Sequence, residues 1–311
     1  MPENDAATPS SDRGLLAVLV VVALVCVIGG MWWALSSIDG GGESSTSTTA
    51  ESGDGPDAAV NGPAAENLVV KVWSSIPHDP PVFTQGVELH EGVLYESAGL
   101  KGKSSLRTVD VKTGKTLQAV NTEPEEFAEG LTVLPSGDVV QLTWQDGVAH
   151  VRDAKTLASK STFTYEGEGW GICYAEASNV LFMSDGSSQL TVRDATTFAP
   201  LRRVDVTLKG EALTQLNELE CTDDGVYANV WQTDTIVRID PDTGVVADEI
   251  DASGLLTEAE RTESGADVLN GIADLGDGTF LLSGKLWPKS FVVSFEAAAG
   301  ADSSDTVPAN G

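Results

Sequence analysis

The sequence predicts an all-β fold, a five-bladed β-propeller, and three observations predict it. One phrase recurs, as SLRTVDVKTGKTL around Asp110, VAHVRDAKTLAS around Asp153, QLTVRDATTFAP around Asp194 and TIVRIDPDTGVV around Asp240. These aspartates stand 43, 41 and 46 residues apart, the period of an array whose unit is about four short strands. A second mark precedes each phrase, as TQGVEL, AEGLTVL, GWGICY and NELEC, and a fifth, NGIADL, precedes the final strand FVVSF. Helical periodicity is sparse in this stretch, while Gly/Asp turns are frequent.

In chain order, Gly14 to Leu35 comes first, twenty-two positions without a charge. At about 1.5 Å per residue a helix of that length crosses a bilayer. Arg13 precedes the run and no Lys or Arg follows until Lys71, so residues 1–13 are expected in the cytoplasm and the remainder outside. Trp32 and Trp33 suit an interfacial anchor, and no clear small-residue cleavage pattern follows. The expectation is therefore an uncleaved signal anchor, single-pass in the cell membrane, with an extracytoplasmic domain. Residues 36–66 are rich in Ser, Thr, Gly and acid and lack an apolar period, which predicts a flexible linker spanning about 30 Å.

The folded domain is expected over residues 67–296, followed by a disordered tail at 297–311. Its last unit has no fourth strand after Phe295, and the apolar strand Leu68 to Trp73 has no unit of its own. The N-terminal strand is thus expected to close the ring and remove two sheet edges. Residues 252–265, ASGLLTEAERTESG, form the one plausible helical insertion.

Composition excludes several function classes. With 47 acidic and 18 basic residues the formal charge is −29, so nucleic acid is not an expected partner. Nine acidic residues and one arginine precede Asn67, which leaves 38 acidic and 17 basic residues in the rest, a balance of −21. The acidity belongs to the domain as well as its tether. His78, His90 and His150 lie far apart and match no metal-binding pattern. Cys173 and Cys221 fall on neighbouring inner strands but one position out of step in the repeat, so a disulfide is not the favoured expectation. SAGLKGKS, residues 97–104, lies between two strands rather than before a helix and reads as a turn, not a phosphate loop.

The chemistry is expected at one mouth of the central channel. Successive strands of a blade run antiparallel, so residues at the start of each first strand meet those at the end of each second strand. The first group holds Phe83, Gln85, Phe127, Glu129, Trp170, Asn217, Glu218 and Asn270. The second holds Glu96, Trp144, Ser184, Asp185, Asn229, Trp231, Lys285 and Trp287. Indoles, amides, carboxylates and a lysine at one mouth suit a small, mainly uncharged polar group enclosed by aromatics. Glu129, between Phe127 and Gly130, is expected to sit in a less polar setting that raises its pKa. Of the remaining tryptophans, Trp73 and Trp287 are read as blade packing.

The runs HDPPVFTQGVEL, LYESAGLKGKSSLR, FAEGL, QLTW, EGWGI, SDGSSQL, LNELE, ANVW, VLNGIA and GKLW occur in the order found in plant-type glutaminyl-peptide cyclotransferases, a family this chain resembles from about Val69 to Phe295. The resemblance implies a five-bladed propeller that converts the N-terminal glutamine of peptides or proteins to pyroglutamate and releases ammonia. It implies a proton shuttle at Glu129, and substrate contacts at Phe83, Gln85, Phe127, Trp144, Trp170, Asn217, Glu218, Trp231 and Lys285. No catalytic metal is implied, and room is left for a structural divalent cation in the axial channel. A monomer is expected. Asn217, Gln85 and Lys285 stand as alternatives for stabilising the amide oxygen. Two other classes stay open at this point: a tethered propeller that binds small polar ligands without turnover, and a lactonase-like metal-dependent hydrolase.

Overall fold

Each stretch of alternating polar and apolar residues becomes a strand, and the strands group in fours. The computed structural model describes residues 64–78 and 80–298. The first sheet comprises Thr84–His90, Val93–Ala98, Ser105–Val109 and Thr116–Asn121. The second comprises Ala128–Leu134, Asp138–Thr143, Val148–Asp153 and Ser159–Thr164. Ile172–Ala175, Val180–Met183, Gln189–Asp194 and Pro200–Asp205 form the third. Leu216–Thr222, Gly225–Val230, Thr235–Ile239 and Val246–Asp251 form a fourth group.

The last group starts with only three consecutive strands, Leu269–Gly276, Thr279–Gly284 and Lys289–Ala297. Its fourth strand is the N-terminal Glu66–Pro77, which pairs antiparallel with Lys289–Ala297 from Leu68 opposite Ala297 to Pro77 opposite Lys289. The same strand runs parallel to Val246–Asp251 over Glu66 to Val69, so the fourth and fifth groups merge into one eight-stranded sheet. The first and last described strands are thus held by backbone hydrogen bonds to each other rather than left as free edges. The helix Glu258–Ser264 falls inside the stretch read as helical. Thr257 and Glu260 close a capping box at its start, and Gly265 ends it at a φ of 68°.

The first strands of the five groups are neighbours in a cycle. Thr84–His90 lies beside Ala128–Leu134, which lies beside Ile172–Ala175, then Leu216–Thr222, then Leu269–Gly276, which returns to Thr84–His90. Ala128–Leu134 is buried along its whole length, whereas Ser159–Thr164, the last strand of the same sheet, is almost wholly exposed. Apolar faces pack between sheets, as where Leu134, Val140 and Leu142 of the second meet Ile172, Leu181 and Met183 of the third. Each such side chain contributes about 1.5–3 kcal/mol by leaving water. The recurring aspartate closes the turn after the third strand in the first four groups: Asp110 accepts from Lys112 N–H at 3.0 Å and Thr113 N–H at 2.8 Å. Asp153, Asp194 and Asp240 repeat that pattern.

Two sequence expectations are corrected. Cys173 and Cys221 form a disulfide, with their Cα atoms 5.4 Å apart. Neighbouring first strands are staggered by one residue, so out-of-step positions are the ones that meet. The stagger recurs: Glu88 accepts from Val133 N–H, Thr132 from Tyr174 N–H, and Glu220 from Asp274 N–H, always one position further along the next strand. Trp73, read as packing, is 60% exposed. It is the extra residue of a bulge between Val72 and Ser74, which turns it outward to donate to Ser294 Oγ at 3.0 Å. Trp287 does pack: it is fully buried against Phe291 and donates to Asp267 O at 2.9 Å.

Among the described residues no helix is long and apolar enough to cross a membrane. The expected span at 14–35, nearly all of the 36–66 linker and all but the start of the 297–311 tail lie outside the described residues.

Candidate active site

In four of the five units the second sequence mark is a β-bulge. Pairing of the first and second strands slips between Thr84 and Gly86, between Ala128 and Leu131, between Leu216 and Leu219, and between Leu269 and Ile272. The residues at these slips are Gln85, Glu129-Gly130, Asn217-Glu218 and Asn270-Gly271. In the third sheet Trp170 and Gly171 stand just before the strand, joined to Ser184 by bonds of 3.0 Å in each direction. A bulge re-aims a side chain that regular pleating would place elsewhere, and four of the five strand groups use it at the same level. The glycines permit the crowding: a Cβ on Gly130 would stand 2.7 Å from Trp170 O, and one on Gly86 2.9 Å from Leu131 N.

The polar members form a buried floor. Gln85, Glu129, Asn217, Glu218 and Lys285 are all buried. Gln85 Nε2 faces Glu129 Oε1 at 3.4 Å, and Gln85 Oε1 accepts from Asn270 Nδ2 at 3.2 Å. Asn270 Nδ2 also donates to Thr84 O at 3.1 Å, which fixes the orientation of both amides. Burial pushes the Glu129 carboxyl well above its ordinary pKa; the Lys285 charge opposes that shift and the Glu168 charge adds to it. Burial likewise lowers Lys285, while Glu129 and Asp267 work to keep it charged.

The aromatic members form a half-buried rim over that floor. Phe83 meets Phe127 edge-on at 6.2 Å, and Phe127 meets Trp144 at 5.8 Å. Trp170 meets Trp231 edge-on at 5.5 Å. Between Trp144 and Trp170 stands Glu168, which accepts from both indole N–H groups. Lys285 Nζ sits 5.0 Å from the Phe83 ring centre, so the fifth group joins the end of the arc. The structure therefore gathers Phe83, Gln85, Phe127, Glu129, Trp144, Trp170, Trp231 and Lys285 through a chain of direct contacts and charge interactions.

Glu218 is placed differently. Its two oxygens accept from Val87 N–H at 3.2 Å and Ile272 N–H at 2.9 Å, so it ties the first and fifth first strands together. Glu96, near the mouth in the sequence reading, is committed to a buried network with His78, Arg107 and Thr84, at 2.6–2.8 Å. Burial would raise its pKa, but the His78 and Arg107 charges with their hydrogen bonds bring it down to about 2.

Sequence reasoning named no role for Glu168, Gly99 or Gly186. A Cβ on Gly99 would strike the Phe127 ring, and one on Gly186 the Trp170 indole. Among the buried amide atoms without a hydrogen-bond partner are Asn217 Oδ1, Asn229 Nδ2 and Asn270 Oδ1, on the fourth and fifth groups. Asn229 Oδ1 accepts from Gly271 N–H at 2.9 Å, so its unpaired atom is the donor. A concavity of about 1490 Å³ lies at the other ends of the first strands beside Glu88, Glu220 and Asp274, and none of the ten predicted site residues lines it.

Comparison with known proteins places these features in a family. The family model for glutamine cyclotransferases matches residues 44–295. Glutaminyl-peptide cyclotransferase of Arabidopsis thaliana is 38% identical over 238 residues, 74% of this chain and 72% of that protein. The crystal structure of Myxococcus xanthus glutaminyl cyclase superposes with a TM-score of 0.67 at 33% identity, covering 75% of this chain and 99% of that one.

Proposed function

Because the chain belongs to the glutamine cyclotransferase family and is a glutaminyl-peptide cyclotransferase, we propose that Glu129 is its proton shuttle. The observation that carries this reading is a carboxyl buried beneath an aromatic arc, held by Gln85 and raised in pKa by that burial. The α-amine of an N-terminal glutamine attacks its own side-chain amide carbon. One C–N bond forms to close the five-membered lactam, and the bond to the amide nitrogen breaks. Glu129 takes one proton from the amine and delivers it to the departing nitrogen, which leaves as ammonia. A single carboxyl of raised pKa suits both transfers. The aromatic rim folds the glutamine toward a near-attack shape, which supplies acceleration by orientation.

The floor matches a primary carboxamide. Asn229 Nδ2 offers a donor to its oxygen and Asn270 Oδ1 an acceptor to its N–H, and each buried atom left unpaired costs about 1–3 kcal/mol. Gln85 has its donor turned to Glu129, so Lys285 is the cation we assign to the negative charge that develops on the amide oxygen. Asn217 completes the floor, and Glu218 acts by holding the strands that carry it. The reaction in this reading needs no metal.

We read the five groups as blades of a five-bladed propeller; their four-strand composition and the cyclic order of first strands support it. The uncharged run at 14–35 supports a tether holding the domain outside the cell membrane, and carbonate extraction of membranes tests it: release of the full chain rejects the tether. Ammonia release from a Gln-initiated dipeptide tests the chemistry. The wild type should turn over, and Glu129→Gln should lose about 10²–10⁴-fold with its fold intact. Near-normal turnover by that variant ends the shuttle assignment.

A further inference from the structure

Glu168 stands in the segment leading to Trp170 and carries three donors on one carboxylate. Its Oε2 accepts from Trp144 Nε1 at 2.7 Å and Trp170 Nε1 at 2.9 Å, and its Oε1 accepts from Gln145 Nε2 at 2.8 Å. Trp144 follows the second strand of the second sheet, and Trp170 precedes the first strand of the third. One side chain therefore joins the rim across a seam between sheets. We propose that Glu168 is a positioning residue of this cyclotransferase, an anionic clamp that sets the mutual angle of the two indoles and the electric field in which Glu129 exchanges its proton.

The clamp follows from hydrogen-bond geometry. Each indole has one donor, and a bond to an ionised acceptor is about twice as strong as a neutral one. Without it, the aromatic contacts left are the edge-on ones of Trp144 to Phe127 and of Trp170 to Trp231, and neither ties the two indoles together across the seam. Burial would raise the Glu168 pKa, but the bonds from Gln145, Trp170 and Trp144 together hold it below the ordinary carboxylate range. The clamp is thus charged at neutral pH. Three titratable groups interact with Glu129: Lys285 favours its ionised form, Glu168 opposes it, and the Tyr165 phenol responds to it. Gln85 is its neutral partner.

The inference rests on the Glu129 reading, and two substitutions separate clamp from charge. Glu168→Gln keeps a carbonyl acceptor for the indoles but removes the charge. Glu168→Ala removes both. With wild type active and Glu129→Gln inactive as controls, pH–rate profiles and the separate kcat and KM for a Gln-initiated dipeptide are measured beside thermal melts. Glu168→Gln should move the ionisation assigned to Glu129 to lower pH, opposite in direction to the shift in Lys285→Met. Glu168→Ala should show the same shift together with a higher KM and a kcat/KM reduced by about 10²-fold, the scale of an ångström-level misplacement. The proposal is overturned if both variants keep the wild-type pH profile, whether activity is retained or falls in step with Tm. An inactive wild type or an active Glu129→Gln would instead fail the underlying shuttle reading.

Discussion

Cys173 is bonded to Cys221 because Ile172–Ala175 and Leu216–Thr222 run side by side one residue out of step. The bridge lies beyond the bulge level, on the stretch of strand that faces the large concavity rather than Glu129. It spans 48 residues of sequence, for which chain-entropy arguments give about 4 kcal/mol and common experience about 2–4. Cys173→Ala/Cys221→Ala should therefore lower Tm by roughly 5–15 °C while leaving kcat/KM unchanged at a temperature where both proteins are folded. Calorimetry and ammonia release check both halves. A loss of kcat/KM in the folded variant would mean that the bridge reaches the site.

The same stagger shows what the sequence made legible and what it did not. Asp110, Asp153, Asp194 and Asp240 mark the unit directly, because the Asx turn they close needs that residue type at that place. Gln85, Glu129, Trp170 and Asn217 were visible because they repeat at the bulge level. A repeat alignment treats neighbouring strands as level, so it hid the pairing of Cys173 with Cys221. It also hid the outward turn of Trp73, since a bulge changes direction without changing composition. Glu168 had no signature: a glutamate in an acidic segment reads as solvated until two indoles are found pointing at it.

Acidity should stabilise this protein within a defined window. Burial raises Glu88 to about 7 against the bonds from Thr132 and Val133, and raises Glu218 and Glu220 well above the ordinary value. Each then stays protonated in the native state where the unfolded chain has ionised. The native state holds more protons, so stability is fully present below about pH 4.5 for these groups and falls as pH rises toward 7 and beyond. The slope is at most about 1.4 kcal/mol per pH unit for each group. Glu96, held near 2, works in the opposite sense only below pH 4.5. Thermal melts should show a higher Tm at pH 5 than at pH 8, and Glu88→Gln should flatten the difference. A Tm that rises from pH 5 to 8 contradicts the assignment.

Gly99 tests the rim without altering a polar side chain. Its Cβ would enter the Phe127 ring, whose edge contacts run to Phe83 on one side and Trp144 on the other. Gly99→Ala should push that ring aside and raise KM about tenfold or more, with a Tm change of only a few degrees because the ring lies at a half-buried rim. Steady-state kinetics that leave KM unchanged would show that Phe127 does not enclose substrate.

Chelation addresses the metal question by experiment. If Glu129 carries the protons and Lys285 the developing charge, turnover should survive dialysis against EDTA with kcat unchanged. The axial carboxylates of Glu88, Glu218 and Glu220 already accept backbone N–H groups, so Tm should also be unmoved. A fall in Tm alone would assign a structural cation to the axis; a fall in kcat would move the chemistry to a metal.

Asn229 tests whether the floor reads a carboxamide. Its oxygen is committed to Gly271 N–H, which leaves its nitrogen as an unpaired buried donor. Asn229→Asp keeps that commitment and the shape but replaces the donor by an acceptor. At pH 8 an ionised Asp would face the amide oxygen with like polarity, so kcat/KM should drop by about 10–10²-fold, the range for a lost bond to a buried partner. As pH falls, burial favours the protonated acid, whose hydroxyl again offers a donor. The ratio of variant to wild-type kcat/KM should therefore recover toward low pH. Taking the ratio removes the pH dependence that both proteins share through Glu129. A ratio that stays flat across the range would mean that Asn229 holds Gly271 in place and does not contact the substrate.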